Sequence, residues 1–490
     1  MKTTYKFILA ALAATVTLAS CTKDPVPGKY DSDSAVTYRT ITVSFDSPTK
    51  AKLDGTKPKF QDGDTILLSD GTALDTCKVN VKEGFASITT KLKAGKPLKA
   101  VYPMKAVRYT DPEKIDKEPL IPTSQSGKFS DANICVAESD DGKTNSLFFR
   151  NVYPILRFYV DPTIGVKSIK IEIAKTSHAY IALDTAKTCD DDDRTIIVDA
   201  GAGTLDKVTG ESVCYVVVRN QVPAMDLTFT SETETQGTVV RKSPSIATLM
   251  KWNIYNAFIP YYIQVGSQKW GYCNVGAFRP EDPGYYFAWA DTVGYRWDAK
   301  AMLFQRQFDS STSEDEDRHY FNWQNYLYND GKSDLDEGCI KAAGYGNWPE
   351  GILLPKCDAA HLNWGGNWRM PEEKEMETLV KDAKNADNTG VMAGKLKIPY
   401  SGFGYTNVLC DEGSKAEGYI WTKTSEYDAS AFAFTFSCVN DGSVYKINTM
   451  EVSGKSLCLG YPIRPIYDET MSGDDAVGLQ ISPYTDGKTL

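Results

Sequence analysis

Histidine is scarce: 490 residues contain only His178, His319 and His361. No HExxH, Gly-x-Ser-x-Gly or phosphate-loop pattern occurs, so the common hydrolase and nucleotide-binding signatures are missing. The cysteines form no CxxC pair and no Cys/His cluster, and no zinc site is indicated. Carboxylates are plentiful, but their spacing nominates no pair for acid/base work. The expectation is a protein that is not an enzyme and carries no metal or other cofactor. Basic charge is also in deficit: 54 Lys and Arg against 64 Asp and Glu leave a net charge of -10, which speaks against a nucleic-acid partner. No internal run is long and apolar enough to span a bilayer. Tryptophan is nearly missing from the first half; of nine, all but Trp252 lie at or after Trp270, which separates two compositions and, at this length, two or three domains.

The N-terminus reads as an address. Lys2 and Lys6 precede the apolar stretch Phe7 to Leu18, and Leu18-Ala19-Ser20-Cys21 follows. That tetrapeptide resembles the lipobox of bacterial lipoproteins. The resemblance implies a signal peptide over 1–20, lipidation of Cys21, a polar linker over 21–37, and tethering to the outer membrane at the cell surface by a lipid. Ten cysteines remain beyond Cys21, six of them in the C-terminal part. Export permits disulfides, but connectivity stays open and buried free thiols are the alternative.

Residues 38–262 read as all-β. Ile41, Val43 and Phe45 alternate with polar neighbours, as do Leu156, Phe158 and Val160, and Ile169, Ile171 and Ile173. Val213 to Val218 is apolar on both faces, as a central strand requires. Asp54-Gly55, Asp62-Gly63 and Asp70-Gly71 punctuate the strands. Together these predict two β-sandwiches, over 38–160 and 161–262. Lys52-Leu53-Asp54-Gly55, Pro58 to Asp64, Ala100-Val101-Tyr102-Pro103, and Phe148 to Val152 with Leu156-Arg157-Phe158 resemble, in order, motifs of the fimbrillins of the order Bacteroidales. The resemblance implies two transthyretin-like sandwiches, a lipoprotein precursor, and assembly with other fimbrial subunits by strand addition. In that family a protease removes an N-terminal strand after a basic residue, and Arg39 matches that residue.

The densest block of specific choices is Asp358-Ala-Ala-His-Leu-Asn-Trp-Gly-Gly-Asn-Trp-Arg-Met-Pro371. Asp358 is a candidate N-cap, Gly365-Gly366 a helix stop, and Pro371 a candidate opening for a second helix with Met376, Leu379, Val380 and Ala383 on one face. Trp364, Trp368 and Arg369 are expected as packed structure. With Asn274 to Ala277, Tyr286 to Trp289, Ile398 to Gly404, Gly418 to Thr422 and Ile463 to Ile466, the block resembles the Fibrobacter succinogenes major paralogous domain. That implies a C-type-lectin-like α+β domain over 268–467, related to formylglycine-generating enzymes. The thiol chemistry of those enzymes does not carry over, because Cys438 and Cys458 are twenty positions apart.

The resulting expectation is a multidomain protein: two all-β transthyretin-like sandwiches, then an α+β C-type-lectin-like domain, then a polar tail over 468–490. Its expected role is a tip or accessory fimbrial subunit that acts as an adhesin for a glycan or host protein. The alternative is an anchor or shaft subunit without a ligand. Candidate ligand residues are Trp421, Glu426, Asp428, Asn440 and Asp441. Calcium stays open: Glu314 to Asp317 and Asp190 to Asp193 lack calcium-loop spacing, and neither Glu-Pro-Asn nor Gln-Pro-Asp occurs. Val477, Leu479 and Ile481 in the tail would suit a closing strand or a donated one.

Overall fold

The computed structural model describes residues 38–483, except 46–58, 140–144, 174–179, 183–184, 188–194, 201–203, 206–211, 219–226, 244–248, 250–252, 301, 307–320, 325, 327–338, 343–350, 407, 411–415, 427–428, 441, 443 and 472–479. Residues 1–37, with Cys21 and the linker, lie outside the described residues. So do both acidic runs.

The alternation at the start of the chain puts Ile41 and Val43 inside, 0% and 2% exposed. Their strand, Arg39–Phe45, pairs antiparallel with Phe85–Thr90 and parallel with Ser146–Asn151. The second pairing joins the two ends of the sheet, so the first unit is a closed seven-stranded barrel and not the two-sheet sandwich expected. Its core centres on an aromatic knot in which the Phe45 ring stacks on Phe60 at 4.2 Å and Phe149 meets Phe60 edge-on at 5.4 Å. Closure gives each strand a neighbour on both sides, although Cys135–Ser139 meets Ser146–Asn151 through two residue pairs only.

The boundary between the β units falls earlier than the expected residue 160. Ile155–Tyr159 does not form a hairpin with Ser146–Asn151; it lies between Ser212–Val217 and Ile254–Phe258 in another sheet. The chain leaves the barrel at Val152-Tyr153-Pro154, where the Asn151 side chain takes the Tyr153 N–H at 2.9 Å and Pro154 offers no N–H to a ladder. The second unit is two five-stranded sheets. One runs Gly237–Ser243, Leu227–Thr233, Val166–Ile173, Thr195–Asp199, Ser124–Gln125. The other runs Thr204–Leu205, Ser212–Val217, Ile155–Tyr159, Ile254–Phe258, Gln480–Pro483. Phe158 and Phe229 meet between them at 6.0 Å. The last strand comes from the tail: Gln480–Pro483 pairs antiparallel with Ile254–Phe258, so the tail closes an edge of the same chain.

The C-terminal unit is α+β with little helix. Asp358 caps Ala359–Trp364 by accepting from His361 N at 3.0 Å, and Gly365, with φ of 66°, ends it. The second helix, Glu373–Asp382, starts two residues after Pro371, and a capping box of Glu372 and Glu375 initiates it in place of the proline expected to open it. The second helix packs on a five-stranded sheet, Ile340–Ala342, Gly351–Leu353, Ala416–Glu426, Ser430–Asn440, Tyr445–Ser456, while the first lies against Trp368–Arg369. A disulfide joins Cys339 and Cys357, while Cys77, Cys135, Cys214, Cys273, Cys438 and Cys458 are free thiols.

Gly266-Ser267 is the turn of a hairpin between Tyr262–Val265 and Gln268–Gly271. The two units share one hydrophobic core. Phe258 packs on Trp364 at 5.6 Å, and Asp161 accepts hydrogen bonds from both Tyr159 and Tyr272 hydroxyls. Three segments of the C-terminal unit are stitched together by fully buried Arg464, which donates to Asn274 Oδ1 and to the carbonyls of Gly271, Tyr272 and Lys397 at 2.6–3.0 Å.

Candidate functional site

The residues expected to bind a ligand are not brought together. Trp421 is completely buried: its indole N–H is spent on the Phe287 carbonyl at 2.8 Å, and its ring lies against Tyr461 at 4.4 Å. A buried face cannot stack on a sugar, so Trp421 is core. Its strand Ala416–Glu426 and the next, Ser430–Asn440, form one long hairpin, with Glu426 opposite Ser430 at one end and Ala416 opposite Cys438 at the other. Glu426 and Asn440 therefore sit at opposite ends, about 30 Å apart at roughly 3.3 Å per residue. Glu426 accepts from Ser430 Oγ at 3.3 Å, and Asn440 from Gly442 N at 2.9 Å, both as local turn contacts. Asp428 and Asp441 lie outside the described residues. Arg39 is the first residue of its strand, opposite Thr90, and does not precede it. A cut after Arg39 would leave the rest of that strand in the barrel.

The concave site lies elsewhere in the C-terminal unit. A cleft of about 370 Å³ opens between the loop 276–284, the hairpin of Tyr295–Asp298 with Leu303–Arg306, and residues 400–402 with Ala416 and Glu417. That volume lies within the range of small-ligand sites. The loop is shaped by glycine: Gly284 has φ of 79°, and a Cβ there would lie 2.3 Å from the Val275 carbonyl oxygen. It is anchored from below, because Asn274 Nδ2 donates to the Pro283 carbonyl at 2.9 Å while its Oδ1 receives Arg464. The Tyr286 hydroxyl ties the floor by donating to the Ser401 carbonyl at 2.5 Å, and burial pushes that phenol well above its usual range, so it remains a neutral donor.

Trp297 stands on the hairpin wall, half-buried, braced edge-on by Phe304 at 5.1 Å. Beside it Arg296 lies over the Tyr285 ring at 4.9 Å and donates to the Gly276 carbonyl at 2.7 Å. Asp298 accepts from Gln305 Nε2 at 2.9 Å and from Lys300 N at 2.8 Å. On the facing wall Glu417 accepts from the Tyr419 hydroxyl at 2.7 Å. Asp282 at the loop is paired with Arg279 at 2.7 Å. Below the rim, burial works to raise Asp387, but hydrogen bonds from Thr389 and Lys397 outweigh it and hold the carboxyl at about 2. The cleft thus offers an indole face, carboxylate acceptors and a guanidinium donor in one concavity. Such a set can stack on a ring and exchange hydrogen bonds with hydroxyl groups.

None of Arg296, Trp297, Asp298 and Glu417 was expected from sequence. Two segments singled out there, Tyr286 to Trp289 and Ile398 to Gly404, do contribute Tyr286, Tyr400, Ser401 and Gly402 to the lining. The adjacent Trp297-Asp298 before the turn Ala299-Lys300 was the available signal.

No protein-family model matches the chain, and no curated protein matches it. Among solved structures, the chain is similar to a candidate cell adhesion protein from Bacteroides ovatus, at 14% identity over 46% of this chain and 92% of that one, with a TM-score of 0.29. A likeness of that size does not define a common fold.

Proposed function

We propose that this chain is a cell-surface fimbrial lipoprotein, a tip or accessory subunit whose C-terminal unit binds a glycan in the cleft beside Trp297. The cleft carries the reading: a half-buried indole, carboxylates and an arginine converge on one concavity held by a rigid core. The lipobox-like Leu18 to Cys21 supplies the surface location, and the fimbrillin-like motifs supply the system. Binding, not catalysis, is the role, and no metal is required for it. A place at an end of the filament, not within its shaft, is supported by the closed barrel and by the tail strand Gln480–Pro483, which occupies the edge of Ile254–Phe258 in its own chain. Other subunits would then join at few edges.

The test uses the chain from residue 22, without the lipidated cysteine and otherwise whole, because the tail strand and the common core tie the C-terminal unit to the second β unit. Saturable binding on a glycan array, lost in Trp297→Ala and kept in Tyr405→Ala, is the expected result; Tyr405 is exposed away from the cleft lining. Loss of binding with chelator would add a calcium requirement. Binding to matrix proteins alone would replace the glycan with a protein ligand, and binding to neither would leave the structural-subunit reading.

A further inference from the structure

The longest strand among the described residues lies at an edge. Tyr445–Ser456 runs for 12 residues and pairs on one side with Ser430–Asn440. On its other side no strand among the described residues pairs with it. An unpaired edge is a template for another chain unless a bulge, a charge or a covering element blunts it. A bulge does interrupt the first part, where Ser437 meets Thr449 but Cys438 meets Ile447, which leaves Asn448 without an opposite number. From Thr449 to Ser456 the ladder runs unbroken. Met450 and Val452 pack against the core, so the other face of this stretch carries Glu451, Ser453 and Lys455.

We propose that two copies of this chain join edge to edge along Thr449–Ser456, antiparallel about a two-fold axis at Ser453. Directly opposite residues in an antiparallel pair share a face, so the axis must pass through a residue position. An axis at Glu451 or at Lys455 would set that charge against its own copy. The other positions in the stretch leave both charges facing uncharged residues. Ser453 alone sets Glu451 of each copy opposite Lys455 of the other, and it puts Val452 opposite Gly454, where no side chain crowds the valine. Within one chain the same two charged groups approach only to 3.9 Å, and the Glu451 side chain stays 61% exposed. Main-chain hydrogen bonds would carry the contact, and the two ion pairs would fix its register. The cleft end of the sheet, where Ala416 faces Cys438 and Cys438 faces Ile447, lies roughly 20 Å from this axis. The dimer would therefore present its two clefts at opposite ends, about 40 Å apart, as a bivalent head.

Sedimentation of the chain from residue 22, over about 1–100 µM, tests the pairing. The parent should form a dimer whose population rises with concentration. Glu451→Lys and Lys455→Glu each place like charges opposite one another twice, and each should weaken self-association about tenfold. An equimolar mixture of the two variants should recover the parent's association. In the mixed dimer every pair across the interface is opposite in charge, although the pair within each chain remains broken. Circular dichroism checks that both variants are folded. A parent that stays monomeric, a dimer indifferent to both reversals, or a mixture no better than either variant alone would overturn the proposal. The glycan reading is independent of it and would stand.

Discussion

Arg464 donates its Nε hydrogen to Asn274 Oδ1 at 2.6 Å, with both side chains fully buried. Burial lowers the guanidinium to about 10, which still leaves it charged at neutral pH. All its hydrogen-bond partners named above are neutral. The pair does two jobs, because Asn274 passes the constraint on to Pro283 in the cleft loop.

Replacing Arg464 by methionine should therefore cost about 3 kcal/mol or more, since Asn274 and three carbonyls lose a buried donor. Urea denaturation monitored by tryptophan fluorescence measures it. Asn274→Ala should cost less in stability, about 1–3 kcal/mol, but should weaken ligand binding by releasing the loop 276–284. Unchanged affinity in folded Asn274→Ala would show that the loop is held by other contacts.

Asp291 predicts an unusual pH response. It is 8% exposed, and desolvation raises its carboxyl to about 6, against a partly compensating N–H from Val293 at 2.9 Å. The folded state thus binds the proton more tightly than the unfolded one, whose carboxyl sits near its ordinary 3.8. Stability contributed by protonation is present below about 3.8 and lost as pH rises through about 6. Asp291→Asn should stabilise the protein at pH ~7 by up to about 3 kcal/mol and have little effect near pH ~3.5. Thermal melts of both forms across that range decide it; an equal difference at both ends would place the effect elsewhere.

Arg369 holds the first turn of the second helix to the end of the domain. It grips Glu375 through two hydrogen bonds at 2.7 and 2.8 Å and Asp468 at 2.7 Å. Arg369→Met leaves two carboxylates without their cation and should cost about 2–4 kcal/mol. Asp468, although desolvation works to raise it, is held at about 2 by Thr470 and Arg369. Its contribution is full above about 3.8 and disappears as pH falls towards 2. The difference between Arg369→Met and the parent should therefore shrink in acid, which denaturation at pH ~2.5 and pH ~7 would reveal.

Truncation after Met471 removes the strand Gln480–Pro483. Hydrogen exchange should accelerate at Asn256 and neighbouring amides of Ile254–Phe258, and the bared edge should promote association. Exchange in the barrel Arg39–Asn151 should not change. Unaltered protection at both places would mean that the tail strand contributes nothing to the sheet in solution.

Local rules carried much of the reading of individual elements. Alternation located the strands around Ile41 and Ile169, and a run apolar on both faces located the one around Val213, because which face of a strand is buried is written into its own side chains. Asp358 as an N-cap and Gly365 as a stop were legible for the same reason: a cap is a bond within one turn. Connections were not. Closure of the barrel depends on Arg39–Phe45 meeting Ser146–Asn151, a hundred residues away, and nothing in either strand names its partner. The tail strand joined Ile254–Phe258 by the same kind of long-range pairing.

The site shows the division most sharply. By itself the sequence determined that a tryptophan-rich C-terminal half exists, and that Trp364 and Trp368 flank a glycine turn. Only the tertiary structure decided which indole reaches solvent. Trp421 lies at the centre of a five-stranded sheet and packs on Tyr461, whereas Trp297 stands on a two-stranded hairpin with room on one side. Both are large apolar rings in strands, with the same propensity and the same local pattern. What separates them is how much protein the fold places on each face, a quantity summed over contacts distant in sequence.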